Sequence, residues 1–156
     1  MQSSSDIPGV VIQPLRQIGD ERGAVLHMLR CDSPLFTKFG EIYFSVVFSQ
    51  VVKAWKRHRR MTQHFAVPVG KIKLVLYDDR EQSPAQGRLE EYTLGNPDHY
   101  GLIRIPPFVW YGFQGVDSSP SLVANLTDLP HDPAEVETLP DNSPDIPYSW
   151  WNINKL

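Results

Sequence analysis

Apolar and polar residues alternate along much of this chain with the period of a β-strand. The clearest run is 71–77, where Ile72, Leu74 and Leu76 fall on one face and Lys71, Lys73, Val75 and Tyr77 on the other. A period of two marks a sheet with one buried face. Similar runs, rich in β-branched and aromatic residues, predict strands at 10–12, 24–29, 42–48, 88–94, 102–105 and 122–126, with an aromatic segment at 108–113. Turn signals separate them: Gly19 to Gly23, the loop 80–87, and Asn96-Pro97-Asp98. The segment 33–36 suits a helical turn. Many short strands, 14 prolines and little helical periodicity predict an all-β fold, a barrel or jelly roll.

One stretch breaks the simple pattern. From Val51 to His58 the chain reads as a strand whose parity puts Ala54, Lys56 and His58 on one side. If that side faces a barrel interior, a lysine and a histidine point into a protected cavity, where charge is costly unless paired or used. Lys53, Arg57, Arg59 and Arg60 surround them. Arg57, Arg59 and Arg60 read as a solvated loop face. Trp110 and Phe113 read as core rather than as a stacking platform.

Composition narrows the function classes. The chain has 156 residues, enough for one domain spanning 1–156 with a proper core. A net charge of -3 argues against a general nucleic-acid binder. From Asp128 to Asp145 there are six acidic residues and no lysine or arginine. Five prolines between 130 and 147 make 128–156 a wrapping tail, pinned by Tyr148, Trp150 and Trp151, and residues 1–8 read as loose. One cysteine, Cys31, fits a reducing, cytoplasmic compartment. No signal peptide and no membrane span are expected.

The spacing of His58, Gln63 and Gly70 resembles the first metal motif of cupins. Lys56 stands at the first histidine position and Gln63 at the glutamate position, so one imidazole of the ligand set remains. An ammonium repels a cation and an amide is a poor ligand, so neither metal nor cofactor is expected. A metal cupin built on His58 and His64 is the minor alternative.

A second resemblance covers residues 9–151. Asp20-Glu21-Arg22-Gly23, Val51 to His58, Asp78 to Pro84, Ile105 to Phe113, Thr127-Asp128, Asp132-Pro133, Glu135 and the closing Ile146 to Trp150 occur in the order and spacing of the dTDP-4-dehydrorhamnose 3,5-epimerase family. The resemblance implies a metal-free cupin-type jelly roll that epimerises or isomerises a nucleotide-linked 4-keto sugar through an enolate. It also implies a homodimer in which Arg22 reaches the partner's pocket. Lys56 holds the place of the family's base, Gln63 that of its lysine, Tyr111 that of the histidine before Gly-Phe, and Ala124 that of the acid tyrosine. Asp141 is the carboxylate candidate. Arg22, Lys53 and Arg80 match positions near the nucleotide diphosphate.

On these residues the catalytic candidates are Lys56, His58, Tyr111 and Asp141, and the substrate-binding candidates Arg22, Lys53, Gln63 and Arg80. A desolvated Lys56 could remove the proton beside the ketone, with His58 or Tyr111 as donor to the enolate. Equally, Lys56 could pair with Asp141, and His58 could be an interior histidine with a structural role. A sugar-nucleotide-binding protein without catalysis is the competing reading of the whole chain.

Overall fold

The computed structural model describes residues 4–151. Its strands are β1 (Val11–Pro14), β2 (Gln17–Asp20), β3 (Gly23–Leu26), β4 (Glu41–Val47), β5 (Val52–His58), β6 (Gln63–Val69), β7 (Lys71–Asp78), β8 (Arg88–Gly95), β9 (Gly101–Ile105), β10 (Val109–Gly115), β11 (Ser121–Thr127) and β12 (Val136–Thr138). Two five-stranded sheets, ordered β1-β9-β6-β11-β4 and β12-β5-β10-β7-β8, enclose the interior, and β2-β3 forms a separate hairpin. This is the all-β, cupin-type jelly roll expected from the alternation. Among the described residues no helix is long and apolar enough to cross a membrane.

The interior forms where the alternation said it would. Ile72, Leu74 and Leu76 of β7 are fully buried with Phe65, Val67, Ile103, Ile105 and Val109. Each such side chain contributes about 1.5–3 kcal/mol by leaving water. The other face of β7 departs from the expectation of one buried face. Val75 is also fully buried, in a second cluster with Trp55, Trp110, Ile146 and Trp150. The C-terminal tail causes this: it folds across the outside of the sheet and lays Tyr148 and Trp150 on Trp55, at ring-centroid distances of 6.0 and 5.2 Å. Gly112 permits the approach, since a Cβ there would sit 2.5 Å from the Ala54 Cβ and 2.9 Å from Trp150. Trp151, expected to help pin the tail, is instead exposed.

Three further expectations change. Between His58 and Lys71, where the alternation predicts no strand, lies β6, whose Gln63 and His64 disguise a position buried on both faces. Residues 33–36 form a turn without a regular helix. Of the N-terminal residues read as loose, 1–3 lie outside the described residues, while Ile7 is buried in the core and the Ser5 hydroxyl bonds the buried Glu90.

The basic run 57–60 meets the acidic tail. Arg57 bonds Glu137 and reaches Asp79 at 2.9 Å, with its guanidinium 4.6 Å over the Trp110 ring. Arg59 reaches Glu137 and Arg60 reaches Asp132, both at 3.2 Å. Arg57 is therefore a half-buried clamp and not part of a solvated face, whereas Arg59 and Arg60 are exposed as expected. These contacts, with Trp55 N–H donating to Leu139 O at 2.9 Å, dock β12 along the edge of β5.

Candidate active site

The space between the sheets opens into two adjoining chambers. The inner one, of about 310 Å³, is lined by Tyr43, Ser45, Lys53, Ala54, Lys56, Phe65, Tyr111, Phe113, Val123 and Asn125. The other, of about 550 Å³, is lined by Glu41, Tyr43, Lys56, His58, Tyr111, His131, Pro133, Val136 and Thr138. Tyr43, Lys56 and Tyr111 belong to both.

Lys56 and His58 face this cavity while Trp55 and Arg57 point to the tail; Ala54, expected on the cavity side by parity, touches the cavity but packs against the Trp55 and Trp150 cluster. Lys53 also lines it, which plain alternation forbids. Register explains this: Tyr111 pairs with Lys56 but Gly112 pairs with Ala54, leaving one extra residue on β5. Such a bulge re-aims side chains on either side of it.

His58 is the best-held polar group of the site. Its Nδ1 bonds Glu135 Oε1, and both side chains are buried. The other oxygen, Glu135 Oε2, accepts the main-chain N–H of Arg60 at 3.0 Å and of Met61 at 3.2 Å. Burial pushes the Glu135 carboxyl up, but the bonds from His58 and the two amides outweigh it and hold it below its ordinary value. An ionised Glu135 only accepts, so Nδ1 carries the hydrogen and Nε2 keeps its lone pair in the neutral ring. That Nε2 lies 3.4 Å from Tyr111 Oη. Burial raises the Tyr111 phenol far above its ordinary value, so it remains an O–H.

Gln63 lies behind the cavity surface, and Asn125 connects it to the wall. Asn125 Nδ2 donates to Gln63 Oε1 at 3.0 Å and to Tyr43 Oη at 2.8 Å. Gln63 in turn hydrogen-bonds Tyr111. Gln63 is fully buried, so it acts on the cavity through these neighbours and not by touching a ligand.

The remaining candidates sit elsewhere. Asp141 is exposed, and its main-chain carbonyl accepts the Trp55 indole N–H at 3.3 Å. Among the described residues its side chain bonds neither His58 nor Lys56; the carboxylate on His58 is Glu135. Arg80 lines neither chamber. It neutralises the buried Asp78 at 2.8 Å and donates to Pro8 O at 2.9 Å, tying the N-terminal segment to β7. Arg22 is exposed at the tip of the β2-β3 hairpin, paired with Asp20 at 2.6 Å. Lys53 stands at the cavity rim, with Nζ 3.1 Å from Ser45 Oγ. Lys56 is exposed to the cavity, and its side chain makes no hydrogen bond or ion pair among the described residues.

His64 does not join His58. Its ring nitrogens face Leu126 O at 2.9 Å and Leu35 O at 3.2 Å. Among the described residues no group of three or more His, Cys, Asp or Glu is placed to hold a metal ion.

Sequence reasoning missed Tyr43 and Asn125 and gave Glu135 no role. A signal for Tyr43 was present: β4 alternates Glu41, Tyr43 and Ser45 with Ile42, Phe44 and Val46, and its polar face is the one that looks into the cavity.

No family model matches the chain. A probable low-salt glycan biosynthesis epimerase, Agl13 of Haloferax volcanii, is 36% identical over 122 residues, 77% of this chain and 78% of that protein. A dTDP sugar isomerase from Desulfovibrio desulfuricans, solved by crystallography, is 59% identical, covers 93% of this chain and 92% of its own, and superposes with a TM-score of 0.91. The chain belongs to the dTDP-4-dehydrorhamnose 3,5-epimerase family. The spore coat polysaccharide biosynthesis protein SpsL of Bacillus subtilis is 28% identical over 146 residues, 92% of this chain and 96% of SpsL. Within this family of nucleotide-sugar epimerases and isomerases the chain is an enzyme of the same class. Its cavity departs from the family pattern stated above: a lysine holds the base position, and a histidine paired to a carboxylate lies two residues further along β5.

Proposed function

We propose that the chain epimerises or isomerises a dTDP-linked 4-keto-6-deoxyhexose through an enolate, with His58 as the base. The observation that carries this is the buried His58–Glu135 pair, which leaves Nε2 as the acceptor beside Tyr111 at the cavity wall. A base must lie within reach of the proton it takes and be held in the right tautomer, and His58 satisfies both conditions. Nε2 removes the proton from the carbon next to the ketone. The C–H electron pair becomes the C=C bond and the carbonyl pair moves onto oxygen. The Lys56 ammonium, which has no protein partner among the described residues, stabilises the resulting oxyanion. Lys56, exposed to the cavity, serves in this reading as the cation and not as the base. Lys53 at the rim supports the diphosphate.

The functional unit we propose is a homodimer in the cytoplasm, consistent with a single exposed thiol at Cys31. Ile42, Phe44, Val46 and Phe48 are 46%, 60%, 49% and 65% exposed, on or beside the edge strand β4. A row of that kind needs a cover. A second copy would supply it, bringing the Arg22 hairpin toward the neighbour's cavity. Light scattering showing only monomer at micromolar concentration would oppose this.

The chemistry is tested by following deuterium from D₂O into a dTDP-4-keto-6-deoxyhexose by NMR. Wild type exchanges one position. His58→Gln loses the exchange by about 10³-fold while still binding dTDP, and Lys56→Ala slows it by about 10–100-fold. Full exchange in His58→Gln moves the base to Lys56. No exchange in wild type with any keto sugar favours a binding protein without catalysis.

A further inference from the structure

Removing a proton to one wall of the cavity leaves open what returns a proton from the other. On the facing sheet, Ala124 of β11 pairs with Phe44 of β4. One residue on, Asn125 pairs with Tyr43, and both line the cavity. These strands belong to one sheet and β5 with β10 to the other, so Tyr43 and His58 stand on facing walls.

The hydrogen bonds fix the direction of the Tyr43 hydroxyl. Asn125 Oδ1 accepts the main-chain N–H of His64 at 3.2 Å, and that group can only donate. The other end of the Asn125 amide is therefore the nitrogen, whose two hydrogens go to Gln63 Oε1 and Tyr43 Oη. Tyr43 Oη accepts, and its own hydrogen has no acceptor among the described residues. It is free for a molecule in the cavity. Burial raises the Tyr43 phenol, with the Asn125 bond a smaller opposing effect, so the group holds its proton.

We propose that Tyr43 is the catalytic acid of this site, giving its proton to the substrate carbon from the wall opposite His58. The assignment rests on the enolate reading above. The Tyr43 O–H bond breaks and a new C–H bond forms from the C=C pair. The oxyanion pair returns to the carbonyl, and the phenolate recovers a proton from solvent. No electron acceptor is needed.

The test uses the full chain, a dTDP-4-keto-6-deoxyhexose and D₂O, and scores exchange and product separately. Wild type gives deuterated product. Tyr43→Phe keeps His58-driven exchange, so recovered substrate gains deuterium, while product forms about 100-fold more slowly. Product formation within about threefold of wild type overturns the assignment. Loss of exchange together with product, at unchanged dTDP affinity, also overturns it, because Tyr43 would then act before the enolate forms. Should Tyr43→Phe fail to fold, Asn125→Asp keeps the tyrosine but replaces its donor with an acceptor, turning the hydroxyl away from the cavity. It should show the same split between exchange and product, and normal product formation refutes the proposal. Absence of exchange in wild type would sink the enolate reading itself, and this assignment with it.

Discussion

Lys56 and Arg57 are adjacent cations on β5, and their surroundings differ completely. Lys56 points into the cavity with no protein partner among the described residues, beside His58 and Tyr111. Arg57 points outward, bonded to Glu137 and Asp79 and stacked over Trp110. A charge whose protein partners already surround it holds the fold together. A charge facing a cavity without one is available to a ligand. The same contrast separates two buried histidines: His64 has both ring nitrogens against main-chain carbonyls, while His58 keeps Nε2 at the cavity wall.

That comparison can be broken by substitutions on either face. The largest effect is expected from Trp55→Ala on the outward face. Trp55 is 1% exposed and packs against Trp150. Its truncation should cost about 3–5 kcal/mol in denaturant unfolding. Turnover of the fraction still folded should stay near normal, and a smaller loss would mean that the tail is not anchored there.

Glu135→Gln sits on the inward face. It should lower turnover by about 100-fold, with substrate affinity retained, because the imidazole loses the carboxylate that fixes its tautomer. The same residue gives a pH dependence. Its folded value lies below the ordinary 4.5, so its stabilisation is present above that value and is lost as pH falls through the lower folded one. Melting temperature in wild type should therefore drop more steeply below about pH 4.5 than in Glu135→Gln. Equal slopes would remove Glu135 from the balance.

Arg80→Ala sharpens the division for a residue that the family resemblance puts near the diphosphate. Removing it leaves Asp78, which is fully buried, without its guanidinium. The expected loss is about 2 kcal/mol of stability, reduced from the fully buried case because Arg80 is itself partly exposed. Calorimetry should show unchanged dTDP affinity; weaker binding would return Arg80 to the site. The smallest effect belongs to Arg59→Ala, whose exposed pair with Glu137 is worth at most about 1 kcal/mol.

Much of the fold was legible because strand alternation is local. The run 71–77 gave one buried face of β7, and the parity of 56 and 58 gave the cavity face of β5. The loss of the metal ligand set could be read at Lys56 and Gln63. Less was legible of the site. Asp141 and Glu135 are two of six acidic residues in the tail, and nothing local distinguishes them. The motif Asp78 to Pro84 contains both Arg80 and Asp78, but it does not reveal that Asp78 is buried and takes the guanidinium.

What the sequence determined by itself was the period of its strands, the opposite charges of 57–60 and the tail, and an order of landmarks that fixes the family. Tertiary structure decided which polar groups meet. Glu135 reaches His58 across 77 residues because β12 docks on the edge of β5. Asn125 reaches Tyr43 across 82 residues because β11 pairs with β4. A one-residue bulge on β5 turns Lys53 toward the cavity against its parity. Side-chain period follows from the backbone of each strand alone. Hydrogen-bond partnership depends on which strands lie side by side and in what register, and those are set only when the whole barrel closes.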